Sequence, residues 1–157
     1  MKMETAIKNF RREGNRYVLK RQYGFAVVIV IGLLVMTWFG YQSGNKAMMW
    51  IFGILAVLCM LSVFTEKMII DTDSQTMFIK RGLKPASHIP FADIADYELG
   101  RVIYIFVPVN TSLNVRYVSS GKEAYATIAQ GFSARAMQSI LNDIEEITLP
   151  YVRRDQI

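Results

Sequence analysis

Between Gly24 and Thr65 the chain carries no Asp, Glu, Arg or His, and its one Lys, Lys46, sits in a short polar break. That break, residues 42–46, divides two apolar blocks, residues 24–40 and 47–64. A helix needs roughly 17 to 25 mostly apolar residues to cross the hydrocarbon core. Each block approaches that length once its Tyr and Trp edges are included. So short a break returns the second helix beside the first. A buried helical hairpin in a soluble protein is the alternative, but uncharged runs this long are rare in a soluble chain of this size. The expectation is a two-helix transmembrane hairpin over residues 23–65.

The edges of the blocks agree with it. Tyr23 opens the first block, Trp38 and Tyr41 close it, and Trp50 sits early in the second. Amphipathic rings favour the headgroup level, so these four are expected at the membrane interface. Inside the blocks the polar side chains are Thr37, Cys59 and Ser62, which a helix can satisfy against its own carbonyls. A solute pathway needs intramembrane charge or strongly polar groups. The hairpin therefore reads as an anchor and not a transporter, while assembly into a homo-oligomer stays open.

The formal net charge of +5 is uneven. Ahead of the hairpin stand seven basic residues, Lys2, Lys8, Arg11, Arg12, Arg16, Lys20 and Arg21, against Glu4 and Glu13. Beyond Lys46 the chain has ten basic and eleven acidic residues. The basic balance is thus a juxtamembrane cluster and gives no reason to expect nucleic acid. By the positive-inside rule it places both termini in the cytoplasm. The basic region is too long for a signal peptide, and a second apolar block follows at once. Residues 1–22 read as a polar helix with Ala6, Ile7 and Phe10 on one face, continued past Gly14 by Tyr17 and Val18. Lying on the inner leaflet, such a segment gains about 1 kcal/mol per basic residue near anionic headgroups.

After the hairpin the period becomes that of strands, over a domain at residues 66–150 with a tail at 151–157. Residues 67–71 and 76–81 are β-rich around a polar turn at Thr72 to Gln75, a hairpin signature. Residues 82–87 connect to a third extended segment, 88–99, interrupted after Pro90. The apolar run 102–109 suits a strand covered on both faces, followed by a turn at Asn110, Thr111 and Ser112. Leu113, Val115 and Tyr117 alternate with Asn114 and Arg116 in a half-exposed strand. Ser119 to Gly121 turn the chain into a last strand at 123–129. Then Ser133 is an expected N-cap, and Met137, Ile140, Leu141, Ile144 and Ile147 share one helical face. Pro150 falls just past the helix end. The domain is expected to hold six or seven antiparallel strands and one C-terminal helix, whose stripe packs on Ile103, Ile105, Val115 and Tyr117.

The segment 68–81, the stretch Ile89-Pro90-Phe91-Ala92-Asp93-Ile94 and the helix at 133–147 together resemble bacterial membrane-anchored proteins of the pleckstrin-homology-like (PH-like) class. The resemblance implies a PH-like antiparallel barrel behind a two-helix anchor in the bacterial inner membrane. It also implies a role in interaction or assembly, with membrane protein subunits as partners.

Candidate chemistry is sparse. Asp71 and Asp73 open like a calcium loop, but Thr76 replaces the glycine the sharp turn needs, so a polar hairpin turn is expected. The lone histidine, His88, reads as a strand-edge residue, and the lone cysteine, Cys59, forms no framework. Glu145 and Glu146 read as a solvated face. Without a nucleophile–base constellation no enzyme is expected, and neither a metal nor a cofactor. The leading reading is a non-catalytic accessory or assembly subunit of a larger membrane complex. The second is a binder of anionic phospholipid through Lys8, Arg11, Arg12, Arg16, Lys20, Arg21, Lys80, Arg81 and Lys84.

Overall fold

The computed structural model describes residues 7–21 and 23–152. The expected tail therefore lies mostly outside the described residues, as do Ala6 of the N-terminal face and Lys2 and Glu4. Two compact units result, one of residues 23–66 with 81–85, the other of residues 7–21, 67–80 and 86–152.

The first unit is the helix pair. Helix α1 spans Gly24–Gln42 and α2 spans Lys46–Thr65. Both are long and apolar enough to cross a membrane, and few of their side chains are buried. The turn between them uses Gly44 in the left-handed region, φ 68°, and Asn45 caps α2 by accepting from the Met48 N–H at 3.1 Å. Close packing follows from small residues. A Cβ on Gly40 would stand 2.7 Å from the Met49 backbone nitrogen, and Ala56 is buried. Thr37 donates to the Leu33 carbonyl at 2.9 Å, the self-satisfaction expected of a hydroxyl in an apolar helix. At the far end the segment 81–85 belongs to the same unit. Thr65 donates to the Gly82 carbonyl at 2.9 Å, and Gly82 has φ 57° with Ser62 Oγ where a Cβ would go.

The second unit holds two antiparallel sheets and one helix. Strands β1 (Phe10–Glu13), β2 (Arg16–Leu19), β3 (Lys67–Asp71), β4 (Thr76–Lys80) and β5 (Ser87–Pro90) form a five-stranded sheet in that order. A 3-10 turn at Phe91–Asp93 breaks the extended segment where Pro90 was expected to. Strands β6 (Ile94–Tyr104), β7 (Val107–Ser119) and β8 (Lys122–Gly131) form the second sheet.

The basic N-terminal segment is therefore not a helix. Gly14, φ 65°, turns it into a hairpin in which Phe10 pairs with Leu19 and Arg12 with Tyr17. Alternation decides the outcome: Phe10 is buried, and Tyr17 and Leu19 pack on the core, while Arg11 and Glu13 face away. A helix would have left β3 without a neighbour on that side. Instead Tyr17 pairs with Ile70 and Val18 with Ile69. The helix pair is thus a long insertion between two hydrogen-bonded neighbours of one sheet.

Helix α3 (Ala134–Val152) closes the core. Ser133 caps it, its Oγ accepting from the Ala136 N–H at 3.3 Å. Met137, Ile140, Leu141, Ile144 and Ile147 are all buried among Met68, Ile70, Met77, Ile79, Ile89, Leu113 and Val115. The helix runs past Pro150, which lies inside its last turn. There a missing N–H removes a single bond near a terminus that frays in any case.

Two further expectations fail together. The run 102–109 is not a strand covered on both faces: it supplies the end of β6, a two-residue turn and the start of β7. The residues read as a turn, Asn110 to Ser112, lie within β7, and Thr111 is buried. Consequently Val115 and Tyr117 meet the core that α3 closes, whereas Ile103 and Ile105 are exposed.

Candidate interaction surfaces

The basic residues expected to gather around a headgroup are spread along strands and tied to local partners. Arg11 and Arg12 are neighbours on β1 and so project to opposite faces. Arg11 lies 3.5 Å from Glu13. Arg12 donates to the Gly14 carbonyl at 3.1 Å, its guanidinium 5.9 Å from the Tyr17 ring centre. Arg16 donates to Asp71 at 2.9 Å across the β2–β3 register. Lys20 donates to the Lys8 carbonyl at 2.8 Å, which brings that pair together, and Arg21 follows it on the way to α1. Arg81 lies 3.6 Å from Glu66. Lys84 closes a turn through its N–H to the Arg81 carbonyl at 3.3 Å. At Lys80 the sheet register adds a second cation directly opposite. Lys67 and Lys80 are direct partners in the β3–β4 register.

The aspartates sit in the polar β3–β4 hairpin turn, as Thr76 in place of a loop glycine suggested. Asp71 Oδ1 accepts from the Asp73 and Ser74 N–H groups at 3.0 and 3.3 Å. Asp73 accepts from the Asn15 amide at 2.8 Å, which joins this turn to the β1–β2 turn. The Ser74 N–H, with Arg16 and the Asp73 N–H, holds the Asp71 carboxyl below its ordinary range against the opposing push of burial. His88 lies on β5, a terminal strand of its sheet, edge-on to Phe78 with ring centres 4.9 Å apart. Among the described residues no three His, Cys, Asp or Glu side chains lie together as metal ligands.

The expected interface aromatics mark the two ends of the helix pair. Tyr23 precedes α1, whereas Trp38, Tyr41 and Trp50 flank the turn at the other end, and all four are exposed. Trp38 and Tyr41 have ring centres 6.2 Å apart.

One surface feature was not anticipated. Beyond the Thr111–Gly131 pair, where β8 ends, β6 and β7 continue as a two-stranded ribbon capped by Ile105 and Phe106. Exposure rises along it from 59% at Ile103 and 69% at Tyr104 to 72% at Ile105 and 98% at Phe106. Val102 and Val109 are exposed as well. The two turn residues have φ 45° and 66°, a left-handed conformation that costs an L residue about 1–2 kcal/mol. Asn-Gly is the usual occupant of such turns, so nothing in Ile-Phe announces one. A run of Val and Ile reads as a core strand by composition, and only its burial separates the two cases.

No protein-family model, curated protein or solved structure matches the chain.

Proposed function

We propose that this chain is a non-catalytic, membrane-anchored interaction module, an accessory or assembly subunit of a larger bacterial membrane complex. One observation carries the reading: an apolar helix pair is inserted between β2 and β3, hydrogen-bonded neighbours of one folded sheet. An anchor attached at both of its feet holds the domain close to the bilayer and raises its effective concentration for other membrane proteins. The order of five-stranded sheet, three-stranded sheet and C-terminal helix supports the PH-like resemblance. Recognition would run along a terminal strand such as β6, whose main-chain groups can receive a peptide strand.

A second reading rests on Lys67 and Lys80. Like charges directly opposite each other weaken a ladder, and an anionic phospholipid headgroup would relieve that pair, with Arg81 and Lys84 next in sequence. Native mass spectrometry of the full-length protein, extracted gently, separates the two. The subunit reading expects a stoichiometric membrane partner that survives Lys80, Arg81 and Lys84 all changed to Gln. Purification alone, with vesicle binding that falls as salt rises and is lost in the triple variant, would favour the lipid reading instead.

A further inference from the structure

The apolar ribbon formed by β6 and β7 belongs to neither the anchor nor the basic set, and we propose that it is a second membrane contact. Residues 102–109 dip into the same bilayer that the helix pair crosses. The inference rests on the membrane-anchor reading and adds to it a contact made by the folded domain.

Three observations favour lipid over protein as the occupant. The first is that the ribbon is apolar all round. Residues 102–109 include no charged side chain. Successive strand residues point to opposite faces, so Ile103 is exposed on one face and Tyr104 on the other, with Ile105 and Phe106 exposed at the end. A partner groove, or a second copy laid against the ribbon, covers one face and leaves the other in water. An acyl-chain environment covers every side at once.

The second is the turn. Ile105 and Phe106 occupy left-handed conformations that Asn and Gly adopt at little cost. Strain at an exposed apolar tip points to side chains kept for what they touch outside the fold.

The third is placement and reach. Lys20, where the chain leaves for α1, donates to the Asn9 carbonyl, and Asn9 donates to Ser139 and Asp143 on α3. Phe91 instead meets Tyr151 at the C-terminal end of α3. The ribbon's base, Thr111 beside Gly131, adjoins the start of α3. The ribbon base and the exit toward the anchor thus share the half of the domain away from Tyr151. Three residues separate Arg101 from the turn, so Ile105 lies four strand rises beyond it, a reach of about 13 Å. A headgroup layer is about 5–8 Å deep, so the tip would enter the upper acyl chains with Arg101 and Asn110 at headgroup height. The unpaired main-chain edges of a two-stranded ribbon rule out deeper entry.

The test uses the full-length protein in phosphatidylcholine–phosphatidylglycerol nanodiscs holding one copy each. Single cysteines at Ile31, Val109 and Ser120, in a Cys59→Ser background, carry a polarity-sensitive fluorophore, with and without nitroxide-labelled lipid. The expected result is blue-shifted emission at Val109, quenched by the lipid nitroxide to a degree between Ser120 and Ile31, while Ser120 stays unquenched. Ile105→Asn with Phe106→Gly, a pair that suits the turn, should abolish the Val109 quenching while leaving that of Ile31. An unquenched Val109 beside a quenched Ile31 overturns the tip contact and leaves the anchor standing. Quenching that persists in the double variant overturns it too, as does a blue shift that lipid nitroxide leaves unaltered. An unquenched Ile31 would instead remove the anchor itself.

Discussion

Tyr97 shows what a single half-buried phenol contributes to a fold. It packs against the core, and burial pushes its pKa up to about 12, with the Thr148 hydroxyl drawing it back and the charge of Glu145 adding to the rise. The folded domain therefore keeps this proton where the unfolded chain, with its ordinary value near 10.0, has lost it. Folded stability is full below pH 10 and falls as pH rises toward 12. The slope is about 1.4 kcal/mol per pH unit over that window. Tyr97→Phe should remove this component of alkaline destabilisation. Denaturant titrations in detergent at about pH 9 and 11 would check it, and equal pH dependence in the two proteins would show the phenol to be solvated. At this scale the sequence is legible where chemistry is local. Asp71 could be read as a turn residue and Ser133 as a cap, because each accepts from an N–H within three residues of itself. Tyr97 and Ile105 could not be read, because burial and exposure are set by strands far away in the chain.

Among the elements, α3 was the most readable and the N-terminal hairpin the least. The stripe from Met137 to Ile147 repeats at helical spacing over several turns, and it is the face that the core covers. Ile144→Ala should cost about 2–5 kcal/mol, since the site is fully packed. Gln138→Ala, on the exposed side, should stay within about 0.5 kcal/mol. Comparable losses in chemical denaturation would mean that the stripe is not the buried face. The β1–β2 hairpin offers each strand only four residues. Four residues hold too few repeats to tell a period of 2 from one of 3.6, and the charge cluster drew the reading toward an amphipathic helix. What fixes the segment as strands is β3, which lies beyond the entire helix pair and supplies the missing hydrogen-bond partners. The ribbon of β6 and β7 was missed for the converse reason. Its alternation and composition were right for strands, but the covering sheet stops at Gly131.

At the scale of the molecule, the pairing of β2 with β3 constrains topology more firmly than charge does. A sheet cannot be hydrogen-bonded across a bilayer, so residues 10–19 and 67–131 must occupy one compartment, and the turn around Gly44 the other if the helices span. The positive-inside rule then bears only on which compartment is which: from the basic residues between Lys8 and Arg21 we propose the cytoplasm for the sheet, and labelling tests it. Single cysteines at Lys8, Ser43 and Ser120, in a Cys59→Ser background, separate these two claims on intact cells treated with an impermeant thiol reagent. Ser43 should be labelled, while Lys8 and Ser120 should react only after the membrane is permeabilised. Labelling of Lys8 and Ser120 without Ser43 would keep the shared compartment and reverse its identity. Labelling of Lys8 and Ser120 from opposite sides would break the sheet itself, and with it the placement of the anchor between β2 and β3.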